Sequence, residues 1–464
     1  MPKTFIDLFA GIGGFHRALK EMGYKCLLAV EKDAAAQEIY ARNFPEKKRK
    51  GKHNLNRLVG DIRSITRRNP EEESTEINPL ELKERLRMDY KIIKGEVGVI
   101  CGGFPCQPFS KSGEQKGDKD ATRGTLFRDI LLLTRSLMPD FLILENVRNL
   151  AGKNHVHTLA TIVKEIRELD YEIQNIPITL SPHQLTLEHG SPQVRDRVFI
   201  IARKAGLQEG AHPAEVTRHI KNIKELEKPA WDAGSILCEK ERKADRLNKS
   251  ERKWLQIWEN FLQITQDMKL PGHPIWTDDF ENPPDKSTRM PKWKRGFLEA
   301  NHRFYLEIIK DRNRKAKFHK WLKKLRQEKK DSDRDDARII PASRRKFEWQ
   351  ANRAFKDGER RTLKKLLIQF RPSGIRVKPA THYPALVAMT QTTVVGPLVG
   401  LNKTREYYRY ISPKEAAKLQ GMDKIKFGRQ TDALSYKQLG NAVNVKVIKY
   451  LAKLLMDGVP AVTP

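Results

Sequence analysis

An alternation of chain styles constrains this fold more than any single residue does. From residue 4 to about 202, short apolar runs of strand length alternate with helical stretches, and the clearest runs fall at 4–9, 25–30, 97–100, 141–144 and 197–202. Strands separated by helices form a parallel sheet, because a parallel crossover spans a dozen or more residues and is ordinarily helical. The same style returns from Tyr410. There Ser412-Pro413-Lys414-Glu415 places a capping serine, a first-turn proline and a glutamate three residues after the cap; the helix it starts runs to about Gln420 and stops at Gly421. An amphipathic stretch over 443–456 reads as the last helix.

The middle of the chain has a different character. All seven tryptophans lie between Trp231 and Trp349, in a stretch dense with lysine and arginine that begins after about Lys204. Helical spacing over 250–267 and 297–327, and a charge-rich run over 329–338 that reads as an exposed loop, point to a segment with its own fold and the tryptophans as its core. The sequence therefore predicts an α/β domain with a doubly wound, mostly parallel sheet, formed by residues 1–205 and 406–464, and a smaller domain inserted at 206–405. Within the first part, the charged stretch 71–96 reads as a solvated surface helix or loop, with Glu81 and Arg85 at helix-neighbour spacing.

Charge narrows the class of partner. With 89 Lys and Arg against 58 Asp and Glu, the net charge of +31 exceeds what solubility needs and suits a polyanion, nucleic acid first and a membrane surface second. No apolar stretch approaches the roughly 20 residues that span a bilayer. The four cysteines, Cys26, Cys101, Cys106 and Cys238, include no Cys-x-x-Cys pair, and the 12 histidines show no paired ligand spacing. That pattern argues against a metal site and a disulfide scaffold, and it predicts a reducing cytosol. The apolar start over 5–15 could pass for a signal peptide, but Asp7 interrupts it and its glycines suit a turn.

Chemistry-bearing residues fall at strand ends. Phe9-Ala10-Gly11-Ile12-Gly13-Gly14-Phe15 follows the first strand and opens a helix, the layout of a nucleotide-type cofactor loop; its G-x-G-G pattern favours an adenosyl cofactor over a dinucleotide. Glu31, just past the second strand, suits ribose hydroxyls, and Asp61 suits the adenine amino group, with an ordinary helix cap as the alternative for each. Residues 97–101 form a buried strand that leads into Gly103-Phe104-Pro105-Cys106-Gln107-Pro108-Phe109-Ser110, where two prolines exclude a helix and hold a thiol in place. Glu145 follows the strand at 141–144, where an apolar strand end raises a carboxyl pKa and makes a proton donor. Arg195 and Arg197 precede another strand, with a salt bridge to Asp196 as their plainer reading. A Cys, a Glu and arginines on one rim suit nucleophilic attack on an electron-poor ring.

Together these motifs resemble the cytosine-5 DNA methyltransferase family in order and spacing. The likeness covers 5–15, Glu31, Gly60-Asp61-Ile62, 103–110, 123–127, 145–149 and 193–197, and resumes at 412–421 and 436–443. Most of 206–369 stays outside it, where such families place a variable target-recognition domain. The resemblance implies the S-adenosylmethionine-dependent methyltransferase fold and S-adenosyl-L-methionine as cofactor. It implies that Cys106 attacks C6 of cytosine as a thiolate, Glu145 holds and protonates N3, Arg197 contacts O2, and Arg195 steadies the catalytic loop or backbone. The target base would be flipped out of double-stranded DNA, at a cost of about a few kcal/mol. Phe9 is assigned to the adenine face, Gly11 and Gly13 to the methionine end, Glu31 to ribose, Asp61 to adenine and Asn441 to the methionine carboxylate, with Ile62 and Pro105 completing the cofactor site. Lys32 departs from the pattern, because many relatives carry an adenine-stacking aromatic there; weaker cofactor binding is the expectation.

For DNA, Ser110 is expected at the substrate, and Arg371-Pro372-Ser373-Gly374-Ile375-Arg376 is a candidate reading loop whose two arginines suit guanine, with a phosphate clamp as the plainer reading. Lys47-Lys48-Arg49-Lys50 reads as a solvated DNA-facing loop. The leading expectation is a bacterial, cytoplasmic, DNA-associated monomer that partners genetically with a restriction endonuclease. An RNA-directed relative of the same fold and a non-catalytic DNA-binding paralogue are the alternatives; the second predicts loss of Cys106, Glu145, Arg197 or the glycines, all of which are present. A nicotinamide dehydrogenase would explain the glycine loop but neither the Pro-Cys loop nor the charge.

Overall fold

The structure, a computed structural model, describes residues 2–45, 57–72, 75–104, 126–225, 229–238, 245–284, 289–326, 340–387, 393–400 and 407–460. It divides into two compact units, Met1–Trp231 with Ala385–Thr390 and Ala416–Pro464, and Asp232–Pro384 with Gln391–Glu415.

In the first unit, β1 (Thr4–Leu8), α1 (Gly14–Glu21), β2 (Lys25–Val30), α2 (Ala34–Asn43), β3 (Leu58–Val59), α3 (Arg63–Thr66), α4 (Pro79–Tyr90), β4 (Val99–Gly103), α5 (Leu126–Leu137), β5 (Phe141–Val147), α6 (Val156–Arg167), β6 (Tyr171–Ile173), β7 (Ile178–Leu180), β8 (Gln193–Val194), β9 (Arg197–Lys204) and α7 (Pro213–Glu225) succeed one another. The sheet order is β3-β2-β1-β4-β5-β9-β6, with β7 also on β9. Strands β3 to β5 along that path are parallel, and β9 runs antiparallel to β5, β6 and β7. Side chains alternate across β1: Ile6 and Leu8 join the core with α3 to α6, while Phe5 meets the His16 ring of α1 edge-on at 5.3 Å. Helices thus cover both faces, which is the doubly wound arrangement.

The charged stretch at 71–96 contains α4, capped by Asn78, whose side chain accepts from the Leu80 and Glu81 N–H groups. Leu82 and Leu86 sit fully buried in the main core, so the helix carries a packed face as well as a solvated one. Glu81 pairs with Arg68 at 2.7 Å, and Arg85 instead donates to the carbonyls of Ser64, Ile65 and Arg67. The neighbour spacing was real, but tertiary partners outcompeted the local pair.

The second unit contains α8 (Lys249–Ile264), β10 (Ile275–Trp276), α9 (Lys292–Ile309), α10 (Arg312–Leu325), β11 (Lys346–Trp349), β12 (Leu366–Arg371), β13 (Gly374–Pro379), β14 (Tyr383–Pro384), β15 (Thr393–Val395) and β16 (Arg409–Tyr410). Its sheet order is β10-β11-β13-β12-β15-β16, with β11 and β13 the parallel pair. Trp258 stacks on Phe347 at 4.4 Å and, with Trp321 and Trp349, fills the core; Trp293 is 69% exposed and takes no part in it. The helical spacing over 297–327 resolves into two helices, because the Asp311 side chain accepts from the Arg314 N–H and caps a new start. The expected loop at 329–338 lies outside the described residues.

The last elements are α11 (Pro413–Leu419), α12 (Asp432–Asn441) and α13 (Val445–Met456). Ser412 and Glu415 form the reciprocal cap that their spacing predicts, at 2.8 and 3.3 Å. Helix α13 packs on α1 and α7. Ala211 donates to the Leu455 carbonyl at 2.9 Å, and His219 meets the Tyr450 hydroxyl at 3.0 Å. These contacts carry α7 into the first unit, so the divide falls at Trp231 instead of near residue 205.

Candidate active site

The sheet reverses direction of growth at β1, which has β2 on one side and β4 on the other. Ligands of such sheets gather beyond the carboxyl ends at that point. Here the ends of β1 to β5 open on a cavity of about 660 Å³ whose lining includes Phe9, Glu31, Asp61, Glu145, Arg197 and Asn441.

The floor is the glycine loop. Phe9, Gly11 and Gly13 have φ of 56°, 54° and 87°, three left-handed residues within five that turn the chain from β1 into α1. A side chain at Gly13 would place its Cβ 2.2 Å from the Phe44 ring, whereas one at Gly11 would meet nothing within 4 Å, so the Gly11 backbone faces open space in the cavity lining. Phe9 holds the same backbone region at a steric cost of about 1–2 kcal/mol, as functional turns often do. Beneath the loop, fully buried Asp7 accepts the His16 N–H at 3.2 Å, and burial holds its carboxyl well above the usual range.

Glu31 ties β2 to this loop. Its Oε2 accepts from Gly11 N–H at 2.7 Å and its Oε1 from Asp33 N–H at 2.7 Å, which leaves one lone pair on each oxygen for a vicinal diol. Asp61 is engaged by Arg63, through Nη2 at 2.8 Å, and by Lys32 at 3.2 Å. Burial pushes the Asp61 carboxyl up, but the Arg63 and Lys32 bonds prevail and pull it down to about 2. Ile62 is buried in the cavity wall, and Asn441 reaches the lining from the end of α12. A cradle with open backbone, a diol acceptor and an apolar wall fits an adenosyl group.

At the other end, Glu145 and Arg197 meet. Arg197 Nε donates to Glu145 Oε1 at 2.8 Å and its Nη1 to the Asp196 carbonyl at 2.9 Å, while the Asp196 carboxylate pairs with Arg148 at 2.8 Å. Burial raises the Glu145 carboxyl above its ordinary range against the pull of Arg197 and Arg195. Glu145 also stands in register with Gly103, whose missing side chain lets Oε2 approach: a Cβ there would lie 3.2 Å from it.

Arg195, which the resemblance assigns to steadying the catalytic loop or backbone, reaches three carbonyls that the sequence did not identify. Its buried guanidinium donates to the carbonyls of Leu386, Gly440 and Ala442 at 2.9, 2.8 and 2.9 Å, so it fastens distant backbone of the same unit. Asn146, given no role from sequence, donates through Nδ2 to the Phe104 carbonyl at 3.1 Å and so fixes the residue that precedes Pro105. Its place beside Glu145 was the available signal. Pro105, Cys106, Pro108 and Ser110, and the basic run at 47–50, lie outside the described residues. Cys101, in β4, is fully buried with its thiol on the Ile6 carbonyl at 3.3 Å, and burial raises its pKa.

In the second unit, Arg371 and Arg376 flank the turn of a β12–β13 hairpin, not an irregular loop, and both pair with Glu348 of β11, at 3.3 and 2.8 Å.

A profile of the C-5 cytosine-specific DNA methylase family matches residues 3–457. The chain belongs to that family and is a DNA cytosine-5 methyltransferase, an activity that requires a methyl donor. Among its relatives, the type II methyltransferase M.AluI of Cellulosimicrobium cellulans is 33% identical across 97% of this chain and 91% of its own length. The type II methyltransferase M.HgiCI of Herpetosiphon aurantiacus is 27% identical across 96% of both. The type II methyltransferase M.HhaI of Haemophilus parahaemolyticus is 34% identical, but over 47% of this chain and 56% of its own. Among solved structures, S. pombe Dnmt2 methyltransferase shares 14% identity with a TM-score of 0.48 over 97% of each chain.

Proposed function

We propose that this methyltransferase uses S-adenosyl-L-methionine to methylate C5 of a flipped-out cytosine within a specific duplex sequence, and that it protects host DNA in the cytoplasm from a cognate restriction endonuclease. The Glu145–Arg197 pair at the cavity's edge, in register with the strand that leads to Cys106, carries this reading. The relatives' description as type II methyltransferases supports the restriction partnership. The net charge of +31 supports tight, salt-sensitive contact with DNA phosphates. The second unit, Asp232–Pro384 with Gln391–Glu415, is assigned to target recognition, the first to catalysis, and the enzyme to a monomer.

Glu31 would hold the cofactor's ribose, Asp61 and Ile62 its adenine with Phe9 on one face, Gly11, Gly13 and Asn441 its methionine end, and Pro105 the wall beside it. Once bound, that cofactor supplies an electrophilic methyl group for C5. The Cys106 thiolate forms a bond to C6, and the C5=C6 electron pair moves to C5. Glu145 delivers its proton to N3 as negative charge builds in the ring, and Arg197 neutralises charge at O2 and on the resulting Glu145 carboxylate. After methylation the C5 proton leaves to base, its electron pair restores C5=C6, and the bond to Cys106 breaks. N3 then returns its proton to Glu145. Arg195 holds backbone for this site, and Ser110 meets the DNA.

The test is expression in a host without DNA methylation, followed by bisulfite sequencing. Wild-type DNA should carry 5-methylcytosine in one sequence context and Cys106→Ala DNA none. Methylated transfer RNA beside unmodified DNA would sink the reading. So would failure to trap a covalent complex on DNA containing 5-fluorocytosine.

A further inference from the structure

We infer that Lys32 competes with the cofactor's adenine for Asp61, so that its ammonium group must leave the carboxylate before the adenine amino group is accepted. The inference rests on the reading of Asp61 as the adenine acceptor.

A carboxylate offers about four lone-pair sites. Arg63 reaches Oδ1 with its backbone N–H at 3.0 Å, both oxygens with Nε at 3.2 Å, and Oδ2 with Nη2 at 2.8 Å. Lys32 Nζ adds a further contact to Oδ2 at 3.2 Å. No acceptor site on Asp61 is left for a donor entering from the cavity, so one of the present donors must go.

Geometry selects Lys32. Arg63 is anchored two residues from Asp61 at the start of α3, grips the carboxylate through both backbone and a planar fork, and keeps its side chain 23% exposed. Lys32 makes a single contact from a side chain that is 74% exposed, on a flexible stem that water can receive at once. Both residues line the cavity with Asp61 itself. Lys32 therefore acts on cofactor binding by occupying the adenine's acceptor as well as by failing to stack on the ring.

An exposed ion pair of this kind is worth little, which sets the scale: its removal should tighten cofactor binding by about two- to five-fold. Salt screens such a pair. The experiment is calorimetric titration of wild type and Lys32→Met with S-adenosylhomocysteine and with S-inosylhomocysteine, whose ring carries an oxygen in place of the amino group. At low salt, Lys32→Met should bind the adenosyl ligand about two- to five-fold tighter than wild type, and the difference should shrink as salt rises. For the inosyl ligand the gain should be absent or reversed, because the carbonyl oxygen that replaces the amino group accepts instead of donating and cannot compete with Lys32 for Asp61. Equal or weaker adenosyl binding by Lys32→Met overturns the competition, as does an equal gain for both ligands. Wild type that binds the two ligands equally well overturns the assignment of Asp61 to adenine, and the inference with it.

Discussion

Arg197 and Glu145 are diagonal neighbours on adjacent antiparallel strands: Arg197 stands opposite Val147, two residues from Glu145, and its Nε lies 2.8 Å from Oε1. Side chains in that relation share a sheet face, so the pair is built into the register of β5 and β9. It holds the carboxyl oriented at the strand end while burial keeps the protonated form accessible.

Glu145→Gln keeps the shape and removes the transferable proton. Its single-turnover methylation rate should fall by about 10²–10⁴, the usual worth of a positioned acid, while the dissociation constant for S-adenosylhomocysteine stays within about two-fold. A rate near wild type would remove Glu145 from the proton pathway.

Arg195→Ala should act on stability. The change leaves three backbone carbonyls without their charged donor and should cost about 2–4 kcal/mol of unfolding free energy in denaturant titration. Arg195→Lys should recover only part of this, since an ammonium lacks the planar fork that spans Leu386, Gly440 and Ala442. Unchanged unfolding of Arg195→Ala would contradict the fastening role.

Glu415 makes a pH-dependent contribution of known sign. Burial alone would raise its pKa, but the Arg409 guanidinium, with bonds at 2.7 and 2.8 Å, and the Cys238 and Ser412 N–H groups hold it below the ordinary 4.5. A folded pKa below the unfolded one gives stability that is fully present above the unfolded value and lost as pH falls through the folded one. Glu415→Gln leaves Arg409 buried without its counter-charge and should cost about 3–5 kcal/mol at neutral pH. The gap between the two melting temperatures should begin to close as pH falls below about 4.5 and vanish only below the lower folded pKa; a gap independent of pH would refute the ionic account.

Arg376→Ala and Arg371→Ala separate base reading from phosphate binding. If an arginine reads guanine, its loss should cost about 1–3 kcal/mol of discrimination at one position of the target, seen by methylating a randomised library. If it grips phosphate, binding should weaken evenly across sequences and the salt slope should drop by about one. Retention of the wild-type preference by both variants would rule out the reading role.

The first unit was legible because its strands are short, apolar and closely followed by glycines or acids. The cofactor loop, Glu31 and Asp61 sit just past strand ends, which periodicity locates well; Glu145, expected to follow a strand ending at 144, lies within β5, whose pairing with β9 runs on through the polar Asn146 to Val147. For Arg195 the resemblance implied a backbone-steadying task but not the partners, since its three acceptors lie about 190 to 250 residues away and sequence carries no record of such pairings. Glu81 and Arg85 failed for the same reason. The break between α9 and α10 was readable in principle from Asp311, a good capping residue within a run of basic ones. The exposed Trp293 was not, because composition assigns a tryptophan to a core without saying which one stays outside.

Helix α13 packing on α1, together with the grip of Arg195 on Gly440 and Ala442, sets an order for synthesis. The buried face of α1, with Phe15, Ala18 and Leu19, leaves the ribosome more than 400 residues before the helix that covers it. A translation product that stops short of residue 440 lacks the α13 cover of α1 and leaves the Arg195 guanidinium short of two acceptors. The first and last helices of the unit are thus completed together, and its stability is a property of the whole chain and not of its first half.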